Sequence, residues 1–572
     1  MVKIIKMKKL LLIPICLFFF LSAEAQNFEW AKNMGGSNTD VGYSVITDAT
    51  GNSYITGSFQ GTADFDPSSS IANLVSNGAN DFFVAKYDVD GNYLWAHNIG
   101  GAGSDYGYSI TSDMSENIYI TGGFQGTADF DPSLVSTTYL TSNGNSDIFI
   151  TKFDVNGNFV WAKSVGSTAD DYSEGIINYT LGAIYLTGVF QGTADFDPDT
   201  STYNLTSNGG SDIFIASYDS DCQLKWAKNI GGVNSDNASS IAKDPSGNIF
   251  ITGYFNGNAD FDPAAPVSTL ISHGSQDIFI AKFTNSGNYL WAIDLGGSSS
   301  DMGNSISTDI SGNVVITGSF NGTSDFDPGA AILNVISNGN QDIFIAKYDS
   351  NGNYIWAFNM GSNGLDKGNA IATDIYENIY LTGSFKFTVD FDPGASSTNI
   401  SSIGNSDSFL AKYDANGNIK WVNQLGGAGA DEGFSINANT NGKVYTTGSF
   451  SGTANFYSNL SPLANLISNG NTDIYIASYL QSVATNIQLS NNPEIVNFSL
   501  YPNPATDIVT INFGKNYEHL NVIITNIIGQ TMISKKYLSS SIVELDLSEL
   551  TAGTYFVYAN TDTQIAIKII KN

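Results

Sequence analysis

The sequence predicts an all-β protein, a seven-bladed β-propeller followed by a small β-sandwich, and three observations carry that prediction. The only tryptophans, Trp30, Trp95, Trp161, Trp226, Trp291, Trp356 and Trp421, recur every 65 or 66 residues. Each interval holds four short apolar runs bounded by Gly, Asn or Asp, with no helical periodicity. The repeat region also opens on a fourth strand without a third, "NFEWAKNM", and stops on a third strand without a fourth, "DIYIASYL" at Asp473 to Leu480. Pairing the two fragments closes a ring and removes two sheet edges. An open solenoid gives no reason for complementary broken ends.

The chain begins with Lys3, Lys6, Lys8 and Lys9, an apolar run from Leu10 to Leu21 and an Ala23-Glu24-Ala25 cleavage pattern, so residues 1–25 read as a signal peptide. That apolar run falls short of the roughly 20 residues that span a bilayer, and Cys16 follows Ile15 rather than the small residue of a lipoprotein signal. No transmembrane segment is expected in the mature chain. Of 23 basic and 54 acidic residues, 19 and 53 remain after cleavage, a net charge of -34. Every basic residue is Lys. Such a chain repels phosphate, which argues against nucleic acid and anionic membranes. Without arginine it also lacks the planar fork that clamps carboxylates, which excludes sialidase-like chemistry. Cys222 is the one cysteine left, so no internal disulfide can form and stability rests on burial.

Within residues 26–480 the second repeat shows the unit: "GYSITSD" from Gly107, "NIYITGGF" from Asn117, "DIFITKFD" from Asp147 and "NFVWAKSV" from Asn158. Turns of the "TDxxGN" and "DVNGN" types join the first strand to the second and the third to the fourth, where Gly supplies positive φ and Asp or Asn bonds its own backbone. The result is a four-stranded antiparallel meander, and seven of these stacked radially make a propeller. With "ITGSF", "DIFIAKYD" and "GNYLWA", the region from Asn27 to Leu480 resembles the bacterial SBBP-type seven-bladed propeller repeat. That resemblance implies the fold and an extracellular setting, and it brings no catalytic residues.

If the strand after the Trp strand is innermost, both long loop types emerge on one face, where ligand sites are expected. The first type carries Asp40, Asp105, Asp171, Asp236, Asp301, Asp366 and Asp431, each ten residues after a Trp. These form a candidate carboxylate ring at the channel mouth; alternatively, each caps its own Gly-rich turn or ties one blade to the next. The second type carries "DFDP", with Asp64 and Asp66, Asp129 and Asp131, Asp195 and Asp197, Asp260 and Asp262, Asp325 and Asp327, and Asp390 and Asp392. Paired carboxylates plus loop carbonyls suit Ca²⁺, which takes six to eight oxygens. The intervening Phe would pack between blades, worth on the order of 2 kcal/mol each. In the seventh repeat the motif becomes "GTANFYS", which keeps Phe456 and loses both acids. His97, His273 and His519 occupy unrelated positions, so no triad or zinc cluster can be assembled from the sequence. Cys222 replaces a turn residue.

Residues 481–497 read as a polar linker, and residues 498–572 as a small β-sandwich of alternating strands. Its Tyr501, Pro502, Asn503 and Pro504, its "GQ" at Gly529, the "LTAGTY" that contains Gly553 and Tyr555, and the terminal "KIIKN" closely resemble the type A sorting domain of the Bacteroidetes type IX secretion system. The resemblance implies that the secretion machinery is a partner, and that the protein is released or attached to the outer cell surface. The expected role is a monomeric, non-enzymatic binding or adhesion module for a cation, glycan or protein. A carbohydrate-active or lyase propeller would need one blade to break the symmetry, with Glu174 and Asp170, Lys367 or Glu432 as candidates. A Ca²⁺-stabilised spacer is the third reading.

Overall fold

The computed structural model describes residues 26–133, 135–179, 182–264, 267–439, 442–457, 465–481, 499–501, 505–526, 531–548, 550–551, 553–560 and 565–571. The predicted signal peptide, the linker beyond Gln481, and Pro502 to Pro504 lie outside the described residues. Two compact units result, Met1–Ala484 and Thr485–Asn572.

The first unit is a β-propeller of four-stranded meanders. In the second repeat Tyr106–Ser112, Ile118–Phe124, Asp147–Phe153 and Phe159–Val165 pair antiparallel in that order. The two middle strands are buried at every position, so they read as continuous apolar runs rather than alternating ones. Their turns follow the sequence logic: Asp154 Oδ1 accepts the N–H groups of Asn156 and Asn158 at 2.8 and 2.9 Å, and Gly157 sits at φ 82°. At the second strand's "TG", a Cβ on Gly122 would stand 1.8 Å from the Tyr106 carbonyl oxygen, which is why only glycine fits. The register of the innermost pair shifts between Gly107 and Ser109. This bulge re-aims Tyr108.

Each buried core straddles two repeats. Phe82, Val84 and Ile99 of the first repeat pack with Phe124, Phe130 and Phe149 of the second, and the Phe82 and Phe149 rings stack at 4.4 Å. Among the described residues the same arrangement occurs between every pair of consecutive repeats. A further cluster joins Met34, Tyr445, Ile474 and Ile476 to Val45, Ile55 and Phe83 of the first repeat. The N-terminal strand Gln26–Gly36 pairs antiparallel with Asp473–Gln481, from Gln26 opposite Gln481 to Met34 opposite Ile474.

The second unit has five described strands, Ser499–Tyr501, Ile508–Asn526, Thr531–Asp546, Gly553–Asn560 and Ile565–Lys571. These strands share one hydrogen-bonded sheet. The long strand Ile508–Asn526 serves both ends: its start pairs with Ser499–Tyr501 and its end with Gly553–Asn560. Val509, Ile511, Phe513, Leu545 and Ile569 are fully buried in its core.

Candidate functional site

The "DFDP" loops are junctions between repeats. In the second repeat Thr127–Asp129 and Tyr139–Thr141 form a short hairpin, and its first strand pairs with the preceding outer strand, Gly100 opposite Asp129 and Gly101 opposite Ala128. A Cβ on Gly101 would lie 2.2 Å from the Thr127 carbonyl oxygen, so this close approach requires glycine. Where the second glycine is Ser167, the contact shrinks to a single bridge, Gly166 to Asp195. Where it is Ser362, Thr388–Asp390 and Asn399–Ser401 form a separate two-stranded sheet.

The carboxylates of these loops organise the loops themselves. Asp64 Oδ1 accepts the N–H groups of Asp66 and Ala72 at 3.0 and 2.8 Å, and Asp66 Oδ1 accepts Ser68 N–H at 2.9 Å. The same bonds recur at Asp129 and Asp131, Asp195 and Asp197, Asp260 and Asp262, Asp325 and Asp327, and Asp390 and Asp392. Asn455 makes the equivalent bond to Tyr457 N–H at 2.8 Å without a charge. Phe65 is fully buried, 5.5 Å from the Phe59 ring and 4.8 Å from that of Phe83, and its carbonyl accepts the Tyr87 hydroxyl at 2.9 Å.

Asp40, Asp105, Asp171, Asp236, Asp301, Asp366 and Asp431 are buried inside the junctions rather than presented at a channel mouth. Asp105 Oδ2 accepts Gly101 N–H at 2.8 Å and its Oδ1 accepts Gln125 N–H at 3.0 Å, while its own N–H donates to Asn80 of the preceding repeat. The ring pattern in the sequence is thus a record of seven equivalent backbone anchors. A second buried acid accompanies each one: Asp81, Asp147, Asp212, Asp277, Asp342, Asp407 and Asp473 stand in the third strands, five of them as the first residue. A Cβ on Gly100 would lie 2.8 Å from both Asp81 Oδ1 and Asp105 Oδ2, so this glycine, like Gly35, Gly231 and Gly426, makes room for two facing carboxylates. Burial, and to a smaller degree the neighbouring Asp81, push Asp105 up to about 6; burial and Asp212 push Asp236 up to about 7.

The symmetry breaks on the innermost strands, which adjoin from repeat to repeat. Three residues after each anchor Asp stand Tyr43, Tyr108, Glu174, Ser239, Asn304, Asn369 and Phe434, all half-buried. Tyr43 packs against Tyr108 at 5.5 Å and Phe434 at 5.6 Å, and Tyr108 continues to Tyr106 and Tyr172 at 5.7 and 6.2 Å. The other arc is polar. Glu174 Oε1 accepts from Asn237 Nδ2 at 3.0 Å, and Glu432 Oε1 from Asn369 Nδ2 at 2.9 Å. Burial raises the Glu174 carboxyl, against the hydrogen bond from Asn237. Lys367 opens the innermost strand Lys367–Thr373 of the sixth repeat. Asp170 is instead held by Asn145 of the preceding loop at 3.5 Å.

One cluster escaped the sequence reading. His273 Nδ1 lies 3.1 Å from Asp277 Oδ2 and 3.4 Å from Asp294 Oδ2. Histidine positions compared with one another carry no signal; comparison of repeat columns does. His273 replaces the Asn of Asn208 and Asn338, and Asp294 the Asn of Asn229 and Asn359.

In the second unit, Tyr501 is half exposed and pairs with Thr510, Gly553 lies opposite Lys571, and the Tyr555 hydroxyl donates to the Thr551 carbonyl at 2.9 Å. Lys571 Nζ donates to the Thr506 carbonyl at 2.6 Å, tying the terminal strand to the segment after "YPNP".

These features define the class: a β-propeller repeat protein with an export domain at its C-terminal end. Residues 499–572 match the secretion system C-terminal sorting domain, and residues 225–262 match the beta-propeller repeat of the SBBP type. The sorting domain marks the protein for type IX export, to the cell surface or the medium. The chain is similar to an uncharacterized WD repeat-containing protein, L264, of Acanthamoeba polyphaga mimivirus, 25% identical over 570 residues, covering 85% of this chain and 41% of that protein. It is 28% identical over 110 residues to the regulatory protein FlaEY of Caulobacter vibrioides, covering 19% of this chain and 12% of that one. The chain thus spans less than half the length of either relative. Among solved structures, Sqt1 from Chaetomium thermophilum aligns with a TM-score of 0.36 and 10% identity, covering 74% of this chain and 97% of that one.

Proposed function

We propose that the exported protein is a non-enzymatic glycan-binding module, built on seven blades closed into one ring by the N-terminal strand. Closure is supported by the pairing of Gln26–Gly36 with Asp473–Gln481 and by the core that joins Ile474 and Ile476 to the first repeat. The ring gathers the innermost strands around a central channel. The observation that carries the binding function is the aromatic arc of Phe434, Tyr43 and Tyr108, facing an arc that holds Glu174, Asn304 and Asn369. Aromatic faces stack on the C–H faces of a sugar ring, and carboxylate and amide groups take its hydroxyls. The net charge of -34 left after signal cleavage, 19 basic against 53 acidic residues, favours neutral or cationic sugars over acidic ones.

The test is a glycan array probed with the full chain, followed by calorimetry on the hits with Tyr43→Ala and Tyr108→Ala. Binding to neutral or amino sugars that weakens at least about tenfold in both variants is the expected result. An array silent throughout, or affinity indifferent to both tyrosines, removes this reading.

A further inference from the structure

We infer that the fourth repeat carries a binding site for one divalent transition metal ion of the Zn²⁺ class, with His273, Asp277 and Asp294 as its ligands. The three side chains come from different segments: His273 from the loop before the third strand, Asp277 from the start of that strand, and Asp294 from the outer strand beside it. One ligand atom from each lies within 4.8 Å of the others. The separations from His273 Nδ1, 3.1 Å to Asp277 Oδ2 and 3.4 Å to Asp294 Oδ2, match the edge of a coordination tetrahedron with bonds of about 2.1 Å, which is about 3.4 Å. An imidazole with two carboxylates suits Zn²⁺ or Mn²⁺ better than Ca²⁺, whose sites are built from oxygens alone.

Two observations set this apart from a surface ion pair. First, a metal-ligating pair stands in these two columns only here: the column of His273 otherwise reads Asn77, Asn143, Asn208, Asn338, Ile403 and Asn469, and the sixth repeat, which also departs in both, carries Ile403 and Gln424. No other repeat has an acid in the column of Asp294. Second, Asp277 is fully buried and its Oδ1 has no hydrogen-bond partner, as holds for Asp81, Asp147, Asp212, Asp342 and Asp473 of other repeats, but only here does an imidazole nitrogen stand 3.1 Å from the buried carboxylate. His273 keeps 64% of its side chain exposed and Asp294 26%, so the remaining coordination positions open to solvent.

The test measures Zn²⁺ and Mn²⁺ uptake by the full chain, by equilibrium dialysis with elemental analysis and by calorimetry. The variants are His273→Asn and Asp294→Asn, which install residues other repeats already tolerate, so the fold is retained; unchanged circular dichroism checks this. One equivalent of metal per chain, weakened at least about tenfold in each variant, is the expected result. Absence of uptake by the natural protein, or equal uptake by all three proteins, overturns the inference and leaves His273 as an ion-pair partner only.

Discussion

Val45 donates its backbone N–H to Ser435 Oγ at 3.2 Å, joining the innermost strand of the first repeat to that of the last across 390 residues of chain. The bond repeats between consecutive repeats as Ile176 to Ser109, Ile306 to Ser240 and Ile371 to Ser305. The junction between first and last repeats is therefore built from the same parts as the internal ones. Trp30 adds to it, donating its indole N–H to the Val89 carbonyl at 3.1 Å.

Deleting residues 26–36 should remove both the edge pairing and this junction. The expected outcome is a much lower denaturant midpoint and rapid proteolysis, and Trp30→Ala alone should cost about 3–5 kcal/mol. A deletion variant of full stability would sink the ring closure.

Gly297 is tested by Gly297→Ser. A Cβ there would meet the Thr323 carbonyl oxygen at 2.0 Å, so the hairpin Thr323–Asp325 should withdraw from the outer strand as it does beside Ser362. A loss of about 1–3 kcal/mol is expected, with faster amide exchange at Gly296 and Asp325.

Within the same motif, Phe326 and Asp325 should separate packing from charge. Phe326→Ala empties a fully buried site and should cost about 3–5 kcal/mol. Asp325→Asn, which installs what Asn455 already provides, should cost about 1 kcal/mol or less. Melting with Ca²⁺ and with chelator decides the calcium reading: a shift that Asp325→Asn reduces supports it, and identical curves end it.

The buried acid pairs make stability depend on pH. Asp40, Asp105, Asp147, Asp212, Asp301 and Asp473 are raised to about 6, and Asp236 and Asp431 to about 7, by burial above all. The folded state then binds more protons than the unfolded state between about pH 4 and 7. Stability from these groups is fully present below the unfolded value and is lost as pH rises through 6 to 7. Asp309 works the other way. Burial raises it, but Lys347 at 2.8 Å and Asn313 bring it below its usual value, so its contribution is lost in acid. The melting temperature should be highest near pH 5 and lower at pH 8; a flat or rising profile over that range would contradict the buried-pair assignment.

The sequence by itself determined the repeat, its strands and its turns, because these rest on local chemistry: a glycine at positive φ, an Asp bonding N–H groups two and four residues on, apolar runs of strand length. It also determined the sorting domain, whose motifs stand in order along the chain. Column comparison within the repeat would have exposed His273 and Asp294, but not their 3.4 Å separation. Tertiary structure alone decided the fate of the repeated acids. Asp105 reads as a loop carboxylate in sequence, and only the packing of one repeat on the next buries it face to face with Asp81 across Gly100. It likewise decided that Tyr43, Tyr108 and Phe434, 65 residues or more apart in sequence, form one surface. Such contacts depend on how the meanders stack, which long-range burial fixes and no local propensity records.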